Sequence, residues 1–188
     1  GVLLEFAAGV VSSQIPPHDA ERKIEAIVAS AQIANGYGVT AFGEARAPEE
    51  TLGHYQEADR QGRLTVHALL YQQSYGHGKD PEPLEPVSAY DARVAKYDSP
   101  NTDPKAIKFF LDGVPTASRS AMMLAPYTTD DKHPEETQGM QMIPTDELFD
   151  ALAAFDAAGY RIKIHTAGDG SVQLALNAIE HARKVNGN

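Results

Sequence analysis

The sequence predicts an α/β fold, a parallel sheet of four strands alternating with helices, and three observations predict it. Short apolar stretches recur between segments of helical period, glycines punctuate the junctions, and the order reads helix first and then β-α four times over. Crossovers of this kind are right-handed and bring successive strands side by side. Four such units make either a small open sheet or half of an eight-stranded barrel, and the local pattern fits both. At 188 residues and 42% hydrophobic composition, the chain is long enough to bury the core of one domain or part of a larger one.

Ile24, Ile27, Val28, Ala31 and Ala34 share one helical face, with Asp19 as its cap and Gly36 to Gly38 as its end. Val39 to Phe42 follow as a strand. Pro48 suits the first turn of the next helix, where Leu52 and Tyr55 face inward and Gly62 is the stop. Leu64 to Tyr71 read as the second strand, and residues 72–84, rich in Gly and Pro, as a loop. Pro86 then opens a helix carrying Val87, Tyr90, Val94 and Tyr97 at helical spacing. The third strand is Ala106 to Leu111. Residues 113–144 show no period and hold all four methionines, which predicts a lid or loop insertion. Thr145 is expected to cap a helix that buries Leu148, Leu152 and Phe155, and Gly159 to end it. Arg161 to His165 form the last strand. Asp169 is expected to cap the final helix, with Val172, Ala175, Leu176 and Ile179 on its inner face.

Lys plus Arg is 16 against 26 for Asp plus Glu, a formal charge of −10 that repels nucleic acid and anionic membrane surfaces. No basic stripe or membrane-length apolar run offsets this, so neither is expected as a partner. The chain has no cysteine, which removes disulfides and thiolate metal sites and leaves His, carboxylate or modified Lys as ligands. A thiol-free chain suits reducing and oxidising compartments alike, with the cytoplasm as the default.

Side chains at the carboxyl ends of parallel strands face the ligand crevice, so His165, ending its strand, is a candidate. It could bind a metal, carry a proton or hydrogen-bond as a structural residue. Lys108 stands inside an apolar strand, where a buried ammonium must be paired, neutralised or modified. A Schiff base, a metal-bridging carbamate and an ion pair with Asp112 or Glu44 all meet that demand. Glu44, just after the first strand, is placed in the same crevice by this reading. His67 lies within a strand and reads as structural, His77 and His133 lie in loops, and His18, His54 and His181 read as solvated. The Gly168-Asp169-Gly170 turn lacks GxGxxG spacing, so it is a weak phosphate-binding signal.

Read together, Ile107-Lys108-Phe109-Phe110-Leu111-Asp112-Gly113, Ser118-Arg119-Ser120-Ala121-Met122, Pro126-Tyr127 and Ile164-His165-Thr166-Ala167-Gly168-Asp169 resemble the amidohydrolase superfamily. The branch most similar is that of N-substituted formamide deformylase-like metal-dependent hydrolases. Gly38 to Ala45 resembles that branch's first strand after the metal-binding one, and Gln61 to Leu64 its next strand entry. The resemblance implies a (β/α)8 barrel of which this chain, residues 1–188, is an internal fragment covering strands two to five, a partial, half TIM-type barrel.

It also implies one or two divalent metals, zinc by expectation, with Lys108 matching the often carboxylated bridging lysine and His165 a metal-binding histidine. Metal-activated water would then hydrolyse amide or formamide-type C–N bonds other than peptide bonds, with Arg119 as a substrate contact, and Glu44 is a second candidate contact from its place after the first strand. The family's HxH pair, its sixth-strand histidine and its eighth-strand aspartate have no counterpart here, and Gly170 stands where an arginine is common. The isolated chain is therefore expected to bind no catalytic metal, to keep Lys108 unmodified and to be inactive. Its open sheet edges are expected to drive homo-oligomerisation. A Schiff-base aldolase or lyase using Lys108 or Lys163, and a non-catalytic α/β binding module, are the competing readings.

Overall fold

The computed structural model describes residues 2–3, 7–74, 84–116 and 118–187. The elements are α1 (Ala7–Ser12), α2 (Ala20–Gly36), β1 (Ala41–Ala47), α3 (Glu49–Arg60), β2 (His67–Gln73), α4 (Val87–Tyr97), β3 (Thr102–Phe110), α5 (Thr145–Ala157), β4 (Arg161–His165) and α6 (Asp169–Asn186). Their four strands form one sheet in the order β1-β2-β3-β4, every pairing parallel. This is the half-barrel α/β architecture. His77 and most of the loop assigned to residues 72–84 lie outside the described residues.

The helices form where polar and apolar positions alternate at helical period. Asp19 accepts a 2.8 Å hydrogen bond from the Arg22 N–H, and Ile24, Val28 and Ala31 are buried along α2. Gly38, Gly62 and Gly159 have φ of 74°, 68° and 77°, the left-handed conformation that lets the chain leave a helix. Two expected caps are not caps. Pro144 precedes α5, and Thr145 Oγ1 instead accepts from Gln141 Nε2 at 3.0 Å. Gly168 precedes α6 and Asp169 is its first residue, whose Oδ1 accepts from the Leu124 N–H at 2.8 Å.

β3 begins four residues earlier than its apolar run, because Asp59 on α3 pins the preceding turn. It accepts from Ser99 Oγ at 2.6 Å, Asn101 N at 3.0 Å and Asn101 Nδ2 at 2.7 Å. The β2–β3 register shifts beside Pro104, which has no N–H to offer the ladder, and its carbonyl accepts from buried Gln72 Nε2 at 2.9 Å.

Core side chains lie on the helix side of the sheet. One cluster joins Ile107 and Phe109 of β3 to Leu148, Leu152 and Phe155 of α5. The other joins Ala68 and Leu70 of β2 to Leu52, Tyr55, Ile24 and Val28. The α6 face differs from the expected one: Leu174, Ala175, Ala178 and Ala182 are buried, whereas Val172, Leu176 and Ile179 are 43%, 61% and 41% exposed. Small alanines let α6 approach α5 closely, so the small-residue face wins over the larger apolar one. The exposed row lines an apolar groove of about 690 Å³ with Ile162 and Ile164, beside the free edge of β4. That groove and edge are the surfaces on which the expected self-association would rest.

Candidate active site

Strand alternation sends every second side chain to the face opposite the helices. On β3 these are Lys108 and Phe110, and on β4 their direct partners Lys163 and His165. Lys108 and His165 therefore share one face on adjacent strands, offset by two residues, about 7 Å along the strand. Gly43 of β1 and Tyr71 of β2 belong to the same face, since a Cβ on Gly43 would lie 3.2 Å from the Tyr71 ring and 3.6 Å from Lys163 Nζ.

His165 ends β4 at the carboxyl edge. Its Nε2 lies 2.9 Å from the Gly113 carbonyl, which only accepts, so Nε2 is the donor. In the neutral ring this leaves Nδ1 unprotonated with a free lone pair, the form a metal ligand requires. Asp112 Oδ1 stands 3.7 Å from the same Nε2.

Asp112 is 1% exposed, and its carboxylate gathers the edge together. It accepts from Met122 N at 2.9 Å, Ala167 N at 3.0 Å, Gly168 N at 2.8 Å and Ser171 Oγ at 2.7 Å. Three segments, the β3 exit, the 113–144 segment and the β4–α6 turn, thus meet on one side chain. The Met122 carbonyl in turn accepts from Gly170 N at 3.0 Å and Ser171 N at 3.3 Å, occupying the start of α6. The Gly-Asp-Gly turn is thereby a docking point for the chain's own loop.

Residues 113–144 contain no helix or strand among the described residues, yet they are tied down. Met142 N donates to Leu111 O at 2.8 Å, Met123 N to Gln138 O at 2.8 Å and Tyr127 N to Thr137 O at 2.9 Å.

Lys108 is 8% exposed, and neither acid expected to pair with it does so. Asp112 is committed to backbone donors. Glu44 is not in the crevice: it follows Phe42 onto the helix side, where it accepts from Arg46 N at 3.1 Å and Tyr55 Oη at 3.5 Å. Burial, and then Glu44, hold the Tyr55 phenol above its usual range. Lys108 Nζ lies 4.7 Å from the Phe110 ring centroid instead. Desolvation, and then the Lys163 charge, push the Lys108 ammonium below its ordinary 10.5.

Because the unfolded chain holds this proton up to about 10.5 while the folded chain releases it earlier, stability should rise with pH on the alkaline side until 10.5 is passed. Lys108→Met is expected to stabilise the fold by about 1 kcal/mol at neutral pH and to flatten the alkaline rise, read by urea unfolding.

Arg119 adopts a left-handed φ of 47° and spends its guanidinium inside the loop, donating to Thr128 O and Asp130 Oδ2, both at 2.6 Å. His133 pairs with the same Asp130 at 3.0 Å. His67 is the exposed first residue of β2, at the amino edge, away from the crevice. Sequence reasoning missed the clamp role of Asp112, whose signal was an acid set between a buried strand and a glycine. It also missed Lys163 as the neighbour of Lys108, although both occupy alternate strand positions.

Among the described residues no three His, Asp or Glu side chains converge as a metal cage. The two residues that the resemblance assigns to metal do fit that use. His165 presents Nδ1, and Lys108 is biased toward the neutral amine that takes up carbon dioxide, beside a Lys163 charge that would offset a carbamate.

The sequence profile of the Amidohydrolase family matches residues 1–188. The Bacillus subtilis (strain 168) protein named "Putative amidohydrolase YtcJ" is 24% identical over 192 residues, covering 100% of this chain and 33% of its own length. An uncharacterized metal-dependent hydrolase from Pyrococcus furiosus superposes with a TM-score of 0.70 at 21% identity, over 94% of this chain and 34% of that one. A second, from Pyrococcus horikoshii OT3, gives 0.68 at 19% identity over 93% and 33%. The chain spans about a third of the length of the relatives it matches. With the profile matched from first residue to last, the chain belongs to the Amidohydrolase family.

Proposed function

We propose that this chain supplies four strands of a metal-dependent hydrolase that cleaves amide or formamide-type C–N bonds other than peptide bonds. The observation that carries the reading is the placement of Lys108 and His165 on one face of adjacent strands, with no carboxylate among the described residues paired to the lysine. Lys108, carboxylated, and His165 through Nδ1 would hold a divalent metal such as zinc. When bound, the metal lowers the pKa of its water and polarises the scissile carbonyl.

The chain's own residues orient and enclose. The Gly113 carbonyl holds the His165 ring, and Asp112 keeps the 113–144 segment docked at the carboxyl edge, where it serves as a lid. Structural zinc sites use four protein ligands and catalytic ones three, so two residues alone leave the 188-residue chain inactive.

The protein encoded by the whole reading frame, loaded with zinc, should hydrolyse members of a formamide and amide panel. His165→Ala should cut that rate by at least about a hundredfold. Activity that survives both chelation and His165→Ala would contradict the reading. A desolvated amine also favours Schiff-base chemistry at Lys108. Borohydride trapping with a carbonyl substrate labels Lys108 in that case and leaves it unlabelled in the hydrolase.

A further inference from the structure

Two lysines face each other across the β3–β4 pair, Lys108 directly opposite Lys163. Side chains so placed are within each other's reach, and like charges there destabilise a sheet. Among the described residues, neither lysine has an acid within ion-pair distance. Each has an aromatic ring instead, with Lys108 Nζ 4.7 Å from the Phe110 centroid and Lys163 Nζ 3.9 Å from that of Tyr71.

The two lysines are not equivalent. Gly43 gives Lys163 its seat on the Tyr71 ring, because a Cβ at that position would lie 3.2 Å from the ring and 3.6 Å from Lys163 Nζ. A cation–π contact depends on the charge, so this seat favours a charged Lys163. Lys108 is buried and has the longer ring contact. One lysine is thus held as a cation, and the sheet gains when the other changes its charge. Arg46, a further cation on this face, is exposed and its Nε is committed to Gln73 Oε1 at 2.8 Å.

We propose that Lys163 is a positioning residue, the fixed counter-cation of a carboxylated Lys108, and that it lets the carbamate form before any metal is bound. Carboxylation of Lys108 itself comes from the hydrolase reading, on which this inference rests; the built-in counter-charge is new. The step consumes dissolved carbon dioxide. The Lys108 nitrogen, as the free amine, forms a bond to its carbon, one C–O π pair moves onto oxygen, and one proton leaves the nitrogen for water. A side chain that is positive as the ammonium is then negative as the carbamate, so the like-charge pair across the strands becomes an ion pair. The added carboxyl group extends beyond Nζ and so past the Phe110 contact. The expectation of an unmodified Lys108 in the isolated chain takes the metal as the only charge that offsets a carbamate, and Lys163 supplies another.

The metal-free 188-residue chain, isotope-labelled at its lysine nitrogens, is incubated with carbon-labelled bicarbonate, and the carbamate is read by NMR as a carbon signal coupled to a lysine nitrogen. One such signal is expected, and Lys108→Met should abolish it. Lys163→Met should lower its occupancy at fixed bicarbonate by at least about tenfold, whereas Lys163→Arg should stay within about threefold of wild type. A lysine that serves only packing would leave the signal unchanged in every folded variant. Circular dichroism checks folding, and Lys163→Gln carries the comparison should Lys163→Met fail to fold.

No carbamate in the wild-type chain, a signal that survives Lys108→Met, or a Lys163→Met chain carboxylated as wild type is, would overturn the proposal. So would a Lys163→Arg chain that loses the signal as fully as Lys163→Met does. Those results leave the hydrolase reading standing, because it is measured as hydrolysis by the zinc-loaded whole protein. A Lys163-dependent carbamate with no hydrolysis there keeps the counter-cation and removes the hydrolase.

Discussion

Replacing Asp112 with alanine is expected to cost about 3 to 5 kcal/mol of folding stability, the largest loss from any single polar side chain in this chain. The reason is the number of donors left behind. Met122 N, Ala167 N, Gly168 N and Ser171 Oγ all point at one buried carboxylate, and of these the Ser171 hydroxyl also has the Gly168 carbonyl within 2.8 Å, so the three backbone N–H groups carry most of the loss. Each buried donor deprived of its partner costs about 1 to 3 kcal/mol, and partial relaxation or water entry recovers some of it. The damage is local as well as global, since the same carboxylate holds the 113–144 segment against the β4–α6 turn. Urea unfolding gives the stability change, and hydrogen exchange at Ala167 and Gly168 should accelerate beyond the global effect. A loss below about 1 kcal/mol would show that the segments hold together without the clamp.

Gly168→Ala is expected to destabilise by about 3 kcal/mol, through packing and not through backbone strain. Gly168 has φ −92° and ψ 158°, a conformation open to alanine. A Cβ there, however, would stand 1.9 Å from the Met122 carbonyl oxygen and 2.5 Å from its carbon. Relief requires moving backbone, which breaks the hydrogen bonds from Gly170 and Ser171 to that oxygen. Gly36→Ala is the control, because a Cβ there meets nothing within 4 Å. Thermal unfolding of the two variants should separate them clearly, with Gly36→Ala neutral or stabilising by up to about 1 kcal/mol. Equal behaviour would mean that the loop does not dock on α6 as described.

The helices and the parallel sheet were legible because their signals are local. Leu148, Leu152 and Phe155 fall at helical spacing, Asp19 is a cap by its own side chain, and Ile162 and Ile164 alternate along the whole of β4. The face carrying Lys108 and His165 was legible for the same reason, since period-2 alternation needs no partner. What failed depended on contacts between distant segments. The early start of β3 is imposed by Asp59 from another helix, and the burial of the alanine face of α6 by close packing on α5. Glu44 was placed by its distance from a strand end, whereas alternation with Phe42 decides its side. The partner of Asp112 is a turn more than fifty residues away in sequence, and only the fold brings it there.

As proposed above, His165 and Lys108 would be metal ligands in a protein that supplies further ligands beyond the two on this face. Metal content after zinc loading and exhaustive dialysis tests it most directly, measured on the 188-residue chain, on the protein of the whole reading frame, and on the latter with His165→Ala. One or two tightly held ions per chain are expected in the whole protein, a loss of at least one in the variant, and none in the short chain. About one tightly held ion in the short chain, or undiminished metal in the His165→Ala protein, would contradict it.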